Sequence, residues 1–482
     1  MLDDIIRERI RKLEELRRAG FDPYPATTSR THAIGDALSL FSSLARQKKN
    51  ITIVGRVTGL RKQGGLLFVD LHDETGTIQL LGRKNELTDF SVLHSAIDVG
   101  DFLESRGFLF KTKQGERSVD VQRLHIITKS LRPLPDKWFG LEDVEKRLRQ
   151  RYLDLLTHDD VVQLFRKKDA FWTSIRSFMK KNGFLEVETP VLETTPGGAD
   201  AEPFATHHNA LNADFYLRIS LELALKRLIV GGYEKVFEIG RIFRNEGIDK
   251  EHLQDYTQFE FYWAYQDYRG LMKFTEKLYK TAIKATIGSL TTKWERTTIN
   301  WGKKWATVDY YTAFKKYVKM DLGNATRDEL YKKALGQGLQ PEKELGRGKL
   351  IDLLFKKLVR PTLIQPSFLV NPPVAIEPLA KRMPSDPNRV ERFQIVACGT
   401  ELGKGFSELN DPLDQRERFE EQMQLRAAGD KEAQMIDEDF LTALEYGMPP
   451  TAGFGLSERL FAILMDRSVR ETVIFPLMRS KD

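Results

Sequence analysis

Residues 238–265 read EIGRIFRNEGIDKEHLQDYTQFEFYWAY, and this stretch decides the fold of the larger part of the chain. Two strand-like runs, 234–245 and 256–265, flank a polar loop, which predicts an antiparallel hairpin. Arg244 stands at the end of the first strand. A planar guanidinium held on a sheet grips a phosphate or a carboxylate. For the triplet RNE alone, a hairpin with a surface salt bridge is the favoured alternative.

Further strand-like runs lie on both sides of this hairpin, at 216–220, 392–399 and 400–409. Helical patterns separate them, including one at 160–182, so the sequence predicts an α+β domain with a mixed, mainly antiparallel sheet. FLEVETPVL at 184–192 is expected to be a strand closed by Pro190. Residues 284–365 are rich in Lys, Thr and Gly and predict a small helical insertion.

The first third of the chain has a different pattern of hydrophobic residues. Residues 2–19 predict an amphipathic helix within an N-terminal helical extension, 1–50. Five short alternating strands separated by turn signals follow, which predicts an OB-fold β-barrel over 51–131. A proline-punctuated linker is expected at 132–150, and the second domain at 151–482.

Bulk composition narrows the class of protein. Among 482 residues, 41% are hydrophobic and 30% charged, which is typical of globular domains. Without a long uncharged apolar run, the sequence predicts no membrane span. The single cysteine, Cys398, excludes an internal disulfide and a cysteine-cluster zinc site, and a cytoplasmic location is expected. The net charge of +6 permits an anionic partner, but it favours a nucleic acid only modestly.

Three more charged residues accompany Arg244. Arg459 follows a Gly-rich strand in GFGLSER, and Glu401 and Glu408 flank another strand. Mg²⁺ prefers carboxylate oxygens together with substrate phosphates. The spacing therefore indicates a candidate site for one divalent ion.

Eight motifs occur in order along the chain: FDPYP (21–25), FVDLHDETGTIQL (68–80), ITKSLRPLPDKW (127–138), RQRYLDLL (149–156), PGGADAEPFATHHNA (196–210), EIGRIFRNEGI (238–248), GFSELNDP (405–412) and MPPTAGFGLSER (448–459). Together they resemble the bacterial-type class II lysyl-tRNA synthetase family over nearly the whole chain. The resemblance implies an anticodon-binding OB-fold, a class II catalytic domain and a homodimer built through the strand around Pro190.

The implied reaction activates lysine with ATP, giving lysyl-adenylate and pyrophosphate, and then transfers lysyl to the 3′ end of tRNA(Lys). Arg244 would contact the α-phosphate and the lysine carboxylate, and Arg459 the γ-phosphate, both as catalytic residues. No side chain need act as a base, since positioning and charge stabilisation suffice. The other expected ATP ligands are Glu246, His252, Tyr256 and Glu401. Mg²⁺ would bind Glu401 and Glu408, with Gln394 standing where the family usually has a glutamate.

The lysine pocket must receive two ammonium groups, and an unpaired buried ammonium is costly. Glu222 matches the family residue for the α-ammonium, whereas Glu408 and Tyr262 match those for the ε-ammonium. Glu260 lies nearby, and Gly198 would leave backbone room. The chain departs from the family pattern at two further places. Lys404 replaces an asparagine and either pairs with the lysine carboxylate or points away. The Gly-rich strand GFGLSER is one residue shorter than the family pattern, so the register of Arg459 is open.

In the barrel, Phe68 and Gln79 match the positions that stack on and read the central uridine, and Glu116 is a weaker match to a third reader. The alternative is a core role for Phe68 and a solvated strand position for Gln79. For the whole chain, three alternatives stay open. The first is an aspartyl- or asparaginyl-tRNA synthetase. The second is a diverted paralogue, which either activates lysine for another acceptor or binds tRNA as a non-catalytic regulator, and the third is a plain OB-fold nucleic-acid binder with an unrelated second domain.

Overall fold

The computed structural model describes residues 2–135, 143–247, 253–343, 345–430 and 432–479. They form two compact units, Met1–Glu142 and Asp143–Asp482. Among the described residues, no helix combines the length and the apolar character that crossing a bilayer requires.

The first unit is a barrel with an N-terminal helix, as expected from its alternating pattern. Its elements are α1 (Leu2–Arg18), α2 (Ile34–Ser39), α3 (Phe41–Arg46), β1 (Ile51–Gln63), β2 (Leu66–Asp73), β3 (Gly76–Arg83), α4 (Phe90–Ala96), β4 (Phe102–Lys111) and β5 (Arg117–Thr128). The strands close in the order β1-β2-β3-β5-β4. The predicted OB-fold is therefore confirmed; α4 is an element that the sequence reasoning missed.

Alternation along each strand fills the barrel. In β2, Leu67, Val69 and Leu71 are buried inside, and the residues between them face outward. Helix α1 is tied to the barrel by polar contacts as well as by Leu16: Arg9 donates to the carbonyl oxygens of Val99 and Ser130. A buried guanidinium needs such partners, since burying it unpaired is costly.

The second unit contains the helices and the large sheet. Its elements are α5 (Val144–Arg149), α6 (Arg151–Thr157), α7 (Asp159–Lys181), β6 (Leu185–Glu186), β7 (Leu192–Glu193), β8 (Ala205–His208), β9 (Ala213–Leu217), α8 (Glu222–Val230), β10 (Lys235–Phe243), β11 (Asp255–Ala264), α9 (Tyr268–Ile287), β12 (Thr291–Trp294), β13 (Thr297–Asn300), β14 (Ala306–Asp309), α10 (Tyr310–Val318), α11 (Arg327–Gly336), α12 (Arg347–Leu358), β15 (Ser367–Val370), β16 (Arg382–Met383), β17 (Asp386–Val390), β18 (Arg392–Ala397), β19 (Thr400–Ser407), α13 (Pro412–Ala427), α14 (Glu438–Glu445), β20 (Thr451–Ser457) and α15 (Arg459–Leu464).

Eight strands form the central sheet in the order β14-β15-β18-β19-β20-β11-β10-β6. All neighbours pair antiparallel except β14–β15 and β10–β6, which confirms the mixed, mainly antiparallel sheet. Helices α7 and α9 pack on one face, which we call the lower face. Helices α8, α13 and α14 pack on the other, the upper face. The sheet is thus covered on both sides over much of its area.

The segment around Pro190 differs from the prediction. Instead of one strand over 184–192, the structure has two short pieces, β6 and β7, with Pro190 between them. Proline has no N–H for a strand ladder, and Thr189 instead donates its N–H and hydroxyl to Glu238. Side-chain hydrogen bonds therefore hold this segment where a continuous strand was expected.

Within 284–365, the helices α10, α11 and α12 share their own core with Leu369 and Val396. They lie in sequence between two neighbouring strands of the central sheet, β14 and β15. A separate hairpin, β12–β13, precedes them.

Candidate active site

The floor of the site is the upper face of β11 and β20. Along β11, Phe259 and Phe261 belong to the lower core, so Glu260 and Tyr262 point upward by alternation. Gly453 of β20 pairs with Tyr262. A Cβ at Gly453 would overlap the Glu408 carboxylate and the Tyr262 ring. The glycine thus lets these two side chains come together above the sheet.

Glu260 is buried and its two oxygens are both hydrogen-bonded. Oε1 accepts from the Ser220 hydroxyl at 2.9 Å and from the Leu221 N–H at 3.2 Å. Oε2 accepts from the Tyr262 hydroxyl at 3.0 Å. Because donors surround the carboxylate, burial does not leave it unsatisfied. Glu260 therefore fixes the Tyr262 ring.

Glu222 and Glu408 meet through a residue that the sequence reasoning did not select. Lys226 lies one turn after Glu222 on α8, and its Nζ is 2.6 Å from Glu222 Oε1. The same Nζ is 2.5 Å from Glu408 Oε2, just beyond the end of β19. All three side chains are buried. Two carboxylates expected to receive substrate ammonium groups thus share an ammonium of the chain itself.

Burial and mutual repulsion set the proton affinities in this cluster. Burial raises the pKa of Glu222 to about 7, although Lys226 opposes the shift. Burial likewise raises the pKa of Glu408 well above its usual range, helped by the nearby Glu222. For Lys226, burial lowers the pKa, but the two carboxylates outweigh it and raise the value to about 12. The lysine stays charged, whereas the carboxylates hold protons readily.

Lys404 lies on the same face but has its own partner. Its Nζ is 3.2 Å from Glu377 Oε2, and the same oxygen is 3.0 Å from Arg392 Nε. Burial lowers the pKa of Lys404, but Glu377 outweighs it and gives a net rise. The structure therefore pairs Lys404 with a carboxylate of the chain, on the side of the pocket toward β18.

Arg244 is positioned at the end of β10. Its N–H donates to the Gln254 carbonyl at 2.7 Å, and its Nε donates to the Ile219 carbonyl at 3.2 Å. The guanidinium carbon lies 5.8 Å from the centroid of the Tyr256 ring. Because Ile219 is next to Ser220, whose hydroxyl bonds to Glu260, this contact places Arg244 beside the segment that holds Glu260. His252, expected on the intervening loop, lies outside the described residues.

Tyr256 lies near both Arg244 and Arg459. Burial raises its pKa, and Arg244 and Arg459 are close enough to oppose that shift, while Glu246 adds to it. Arg459 begins α15, directly after Glu458. Glu458 accepts from the Lys168 ammonium at 2.8 Å and from the Thr257 N–H at 3.2 Å. Despite the shortened strand, Arg459 is thus near enough to Tyr256 to oppose the rise of its pKa.

A bulge in β19 brings Glu401 to the upper face. Gln394 pairs with Lys404, but the register slips by one between Gly403 and Glu401. Because the extra residue, Leu402, is buried in the lower core, Glu401 recovers the orientation of Lys404. Gln394 Nε2 donates to Glu401 Oε2 at 2.8 Å. Glu401 and Glu408 thus share a face but have different partners.

Glu401 keeps its charge. Burial raises its pKa, but the cations Arg392, Lys404 and Arg459 outweigh that effect and lower it. Within the part of the chain that the structure describes, no three His, Cys, Asp or Glu side chains form a cluster of the kind that holds a metal ion.

Gly198 completes the pocket wall. Its φ is +84°, and a Cβ there would lie 3.0 Å from the Cβ atoms of Glu222 and Ser220. Only glycine adopts this φ without strain while allowing such a close approach. The structure thus brings Gly198 beside Glu222.

The site residues that sequence reasoning missed are Lys226 and Glu377. A signal for Lys226 exists, because glutamate and lysine four residues apart share a helix face. On its own, that spacing is typical of exposed helices. Glu377 has no comparable signal, since its partners Arg392 and Lys404 lie on strands distant in sequence.

In the barrel, the proposed anticodon residues share the outer surface. Phe68 and Gln79 are partly exposed, on the faces of β2 and β3 opposite to the core. Phe68 pairs with Leu81, two residues from Gln79. Gln79 Oε1 accepts from the Ser118 hydroxyl at 3.1 Å, and the exposed Glu116 lies two residues before Ser118. The core alternative for Phe68 is therefore wrong, and the three residues line one region of the barrel.

Comparison with known proteins gives the family of both parts of the chain. Residues 143–479 match the family described as tRNA synthetases class II (D, K and N), and residues 51–127 match the OB-fold nucleic acid binding domain. The chain belongs to the class II tRNA synthetases. The lysine–tRNA ligase of Roseiflexus sp. (strain RS-1) is 45% identical over 487 residues, covering 100% of both chains.

Other full-length relatives carry the same description. The lysine–tRNA ligase of Dehalococcoides mccartyi is 43% identical over 98% of this chain and 97% of its own. That of Nostoc punctiforme is 44% identical over 99% of this chain and 88% of its own. Within the class, the chain thus belongs to the lysine–tRNA ligase family.

Proposed function

We propose that the upper-face pocket activates lysine with ATP and that the lysyl group is then transferred to the 3′ end of tRNA(Lys). The observation that carries this proposal is the set of buried carboxylates, Glu222, Glu260 and Glu408, gathered around Tyr262. An acidic or amide substrate would favour a cationic or neutral pocket. Carboxylates at both ends suit a diamine, because each buried ammonium requires a partner.

In the first step, a lysine carboxylate oxygen forms a bond to the α-phosphorus, and the bond to the pyrophosphate oxygen breaks. In the second, a ribose hydroxyl of the tRNA attacks the lysyl carbonyl, loses its proton and displaces AMP. Arg244 lies beside the pocket wall and would neutralise charge on the α-phosphate and the lysine carboxylate. Such preorganised charge stabilises the transition state without a side-chain base.

ATP would lie between Arg244 and Arg459, with the adenine on Tyr256. The electrostatic proximity of both arginines to this ring supports the placement. Base–aromatic stacking contributes about 1–3 kcal/mol. Glu246 and His252 would complete the nucleotide side.

Magnesium would accompany the phosphates at Glu401. The ionised carboxylate and the amide oxygen of Gln394 fit a hard cation that takes most of its ligands from phosphates and water. When bound, the ion would neutralise phosphate charge. Glu408, held by Lys226, is the less suitable of the two expected carboxylates.

The barrel would bind the anticodon loop through Phe68, Gln79 and Glu116. Unpaired bases are recognised by stacking and by polar contacts to their edges, which matches one aromatic and two polar side chains on one surface. The cytoplasm is the proposed location, since aminoacylated tRNA is used there.

A homodimer would form along the Pro190 segment. Leu185, Val191 and Leu192 are exposed there, at 45%, 39% and 46%, and an exposed apolar row of this kind suits a protein interface. Sedimentation velocity would give the mass of two chains, and the mass of one chain at micromolar concentration would contradict the proposal.

Pyrophosphate exchange into ATP tests the function. Exchange should depend on lysine and not on aspartate, and Arg244→Ala should abolish it while leaving tRNA binding largely intact. Equal exchange with aspartate would refute the assigned substrate. Adenylate formation without transfer to tRNA would instead favour the paralogue with another acceptor, and surviving activity in Arg244→Ala would overturn the site map.

A further inference from the structure

Lys226 joins two parts of the pocket that are far apart in sequence. Glu222 lies on α8, and Glu408 follows β19, yet the Lys226 ammonium contacts both at 2.6 and 2.5 Å. Its side chain is fully buried. The contact therefore fixes the helix side of the pocket against its sheet side.

Aromatic rings enclose the same ammonium. Its Nζ lies 5.5 Å from the centroid of Phe406 and 5.9 Å from that of Phe440. Ring faces attract a cation and exclude water from it. Contacts with two carboxylates and two aromatic rings therefore restrain the Lys226 ammonium.

The charges in the cluster match a particular substrate. Once substrate ammonium groups enter, they favour the ionised forms of Glu222, Glu260 and Glu408; Lys226 then neutralises one carboxylate and leaves a formal charge of −2 for the substrate. The next cation, Lys404, is engaged by Glu377, which also contacts Arg392. Lysine presents two ammonium groups to such a pocket, while its carboxylate would meet Arg244. An amino acid with one ammonium would leave a buried charge uncompensated.

We propose that Lys226 is a positioning and specificity-determining residue, which holds Glu222 and Glu408 at fixed places and sets the pocket charge for a substrate with two ammonium groups. This role rests on the proposed function of the pocket. Lys226 acts through the carboxylates and does not itself touch the reacting atoms.

Removing the ammonium has a defined consequence. Without it, nothing opposes the burial and mutual repulsion of Glu222 and Glu408, so the pKa of each carboxyl rises further and each holds a proton more tightly. A protonated carboxyl is a poor partner for an incoming ammonium. Lysine binding then has to displace that proton, whereas the ATP side, around Tyr256, is untouched.

The test is Lys226→Met, which keeps length and apolar volume but removes the charge. In pyrophosphate exchange, the KM for lysine should rise about tenfold or more, since one pKa unit corresponds to a factor of ten. The KM for ATP should stay within about twofold of the wild type, because the loss is confined to the carboxylates. Calorimetry in two buffers of different ionisation enthalpy should show more protons released per lysine bound.

Lys129→Met is the matched control. Lys129 is also fully buried and contacts two carboxylates, Asp98 at 2.6 Å and Asp101 at 2.8 Å, but in the barrel unit. It should lower the melting temperature without changing the lysine KM. Should Lys226→Met fail to fold, Lys226→Gln retains a donor for Glu222 and should give the same rise in lysine KM.

An unchanged lysine KM, or an equal rise in the KM for lysine and for ATP, would overturn the role of Lys226. Those results would leave the lysine-dependent exchange of the wild type standing. Absence of that exchange in the wild type would instead refute the proposed function, so the two failures are distinguishable.

Discussion

Gly453→Ala adds one methyl group to the floor of the pocket. Gly453 lies in β20, between Tyr262 of β11 and Phe406 of β19, and its φ is not in the left-handed region. The backbone thus accepts alanine. The new Cβ, however, would overlap the Glu408 carboxylate and the Tyr262 ring.

Neither neighbour can move freely. The other Glu408 oxygen is 2.5 Å from Lys226, and the Tyr262 hydroxyl is bonded to Glu260. Overpacking a well-packed site costs about 1–3 kcal/mol. Since 1.4 kcal/mol is a factor of ten, lysine affinity should fall about 5- to 150-fold. The fold should survive, because domains have about 5–15 kcal/mol of stability.

The assay is pyrophosphate exchange at saturating ATP with lysine varied, beside thermal unfolding followed by circular dichroism. Gly455→Ala is the control, since its Cβ would lie 3.3 Å from Glu260 Cγ, a tight contact without overlap. Its effect on lysine KM should be smaller. A wild-type lysine KM in folded Gly453→Ala would refute the packing of Glu408 and Tyr262 described above.

Two more predictions concern the barrel and the pH dependence. Phe68→Ala should raise the KM for tRNA about 5- to 150-fold through lost stacking, without altering lysine-dependent exchange. Phe102→Ala, on β4, is its control. Equal effects of the two substitutions on the KM for tRNA would contradict the proposed stacking role of Phe68. The Glu222 carboxyl, with a pKa raised to about 7 by burial, loses its charge as the pH falls, while lysine keeps both ammonium charges. The lysine KM should therefore rise about tenfold from pH 8 to pH 6, and a flat profile would show that Glu222 does not meet an ammonium.

Much of the architecture was predictable from local pattern. Strand alternation predicted the barrel and the hairpin of β10 and β11, because side chains on a strand face opposite sides in turn. The same alternation places Phe259 and Phe261 below the sheet and Glu260 above it. The Pro190 segment was mispredicted, since its apolar residues suit a strand but Thr189 bonds to Glu238 instead.

The sequence by itself determined which side chains are candidates for the site: Arg244 at a strand end, and Glu222, Glu260 and Glu408 in motifs that resemble one family. Tertiary structure decided how they are paired. Whether Lys226 meets Glu408 depends on how α8 packs on β10 and β11 relative to the end of β19, and local periodicity carries no information about that. The bulge at Leu402, which returns Glu401 to the upper face, is likewise a property of the paired strands and not of either strand alone.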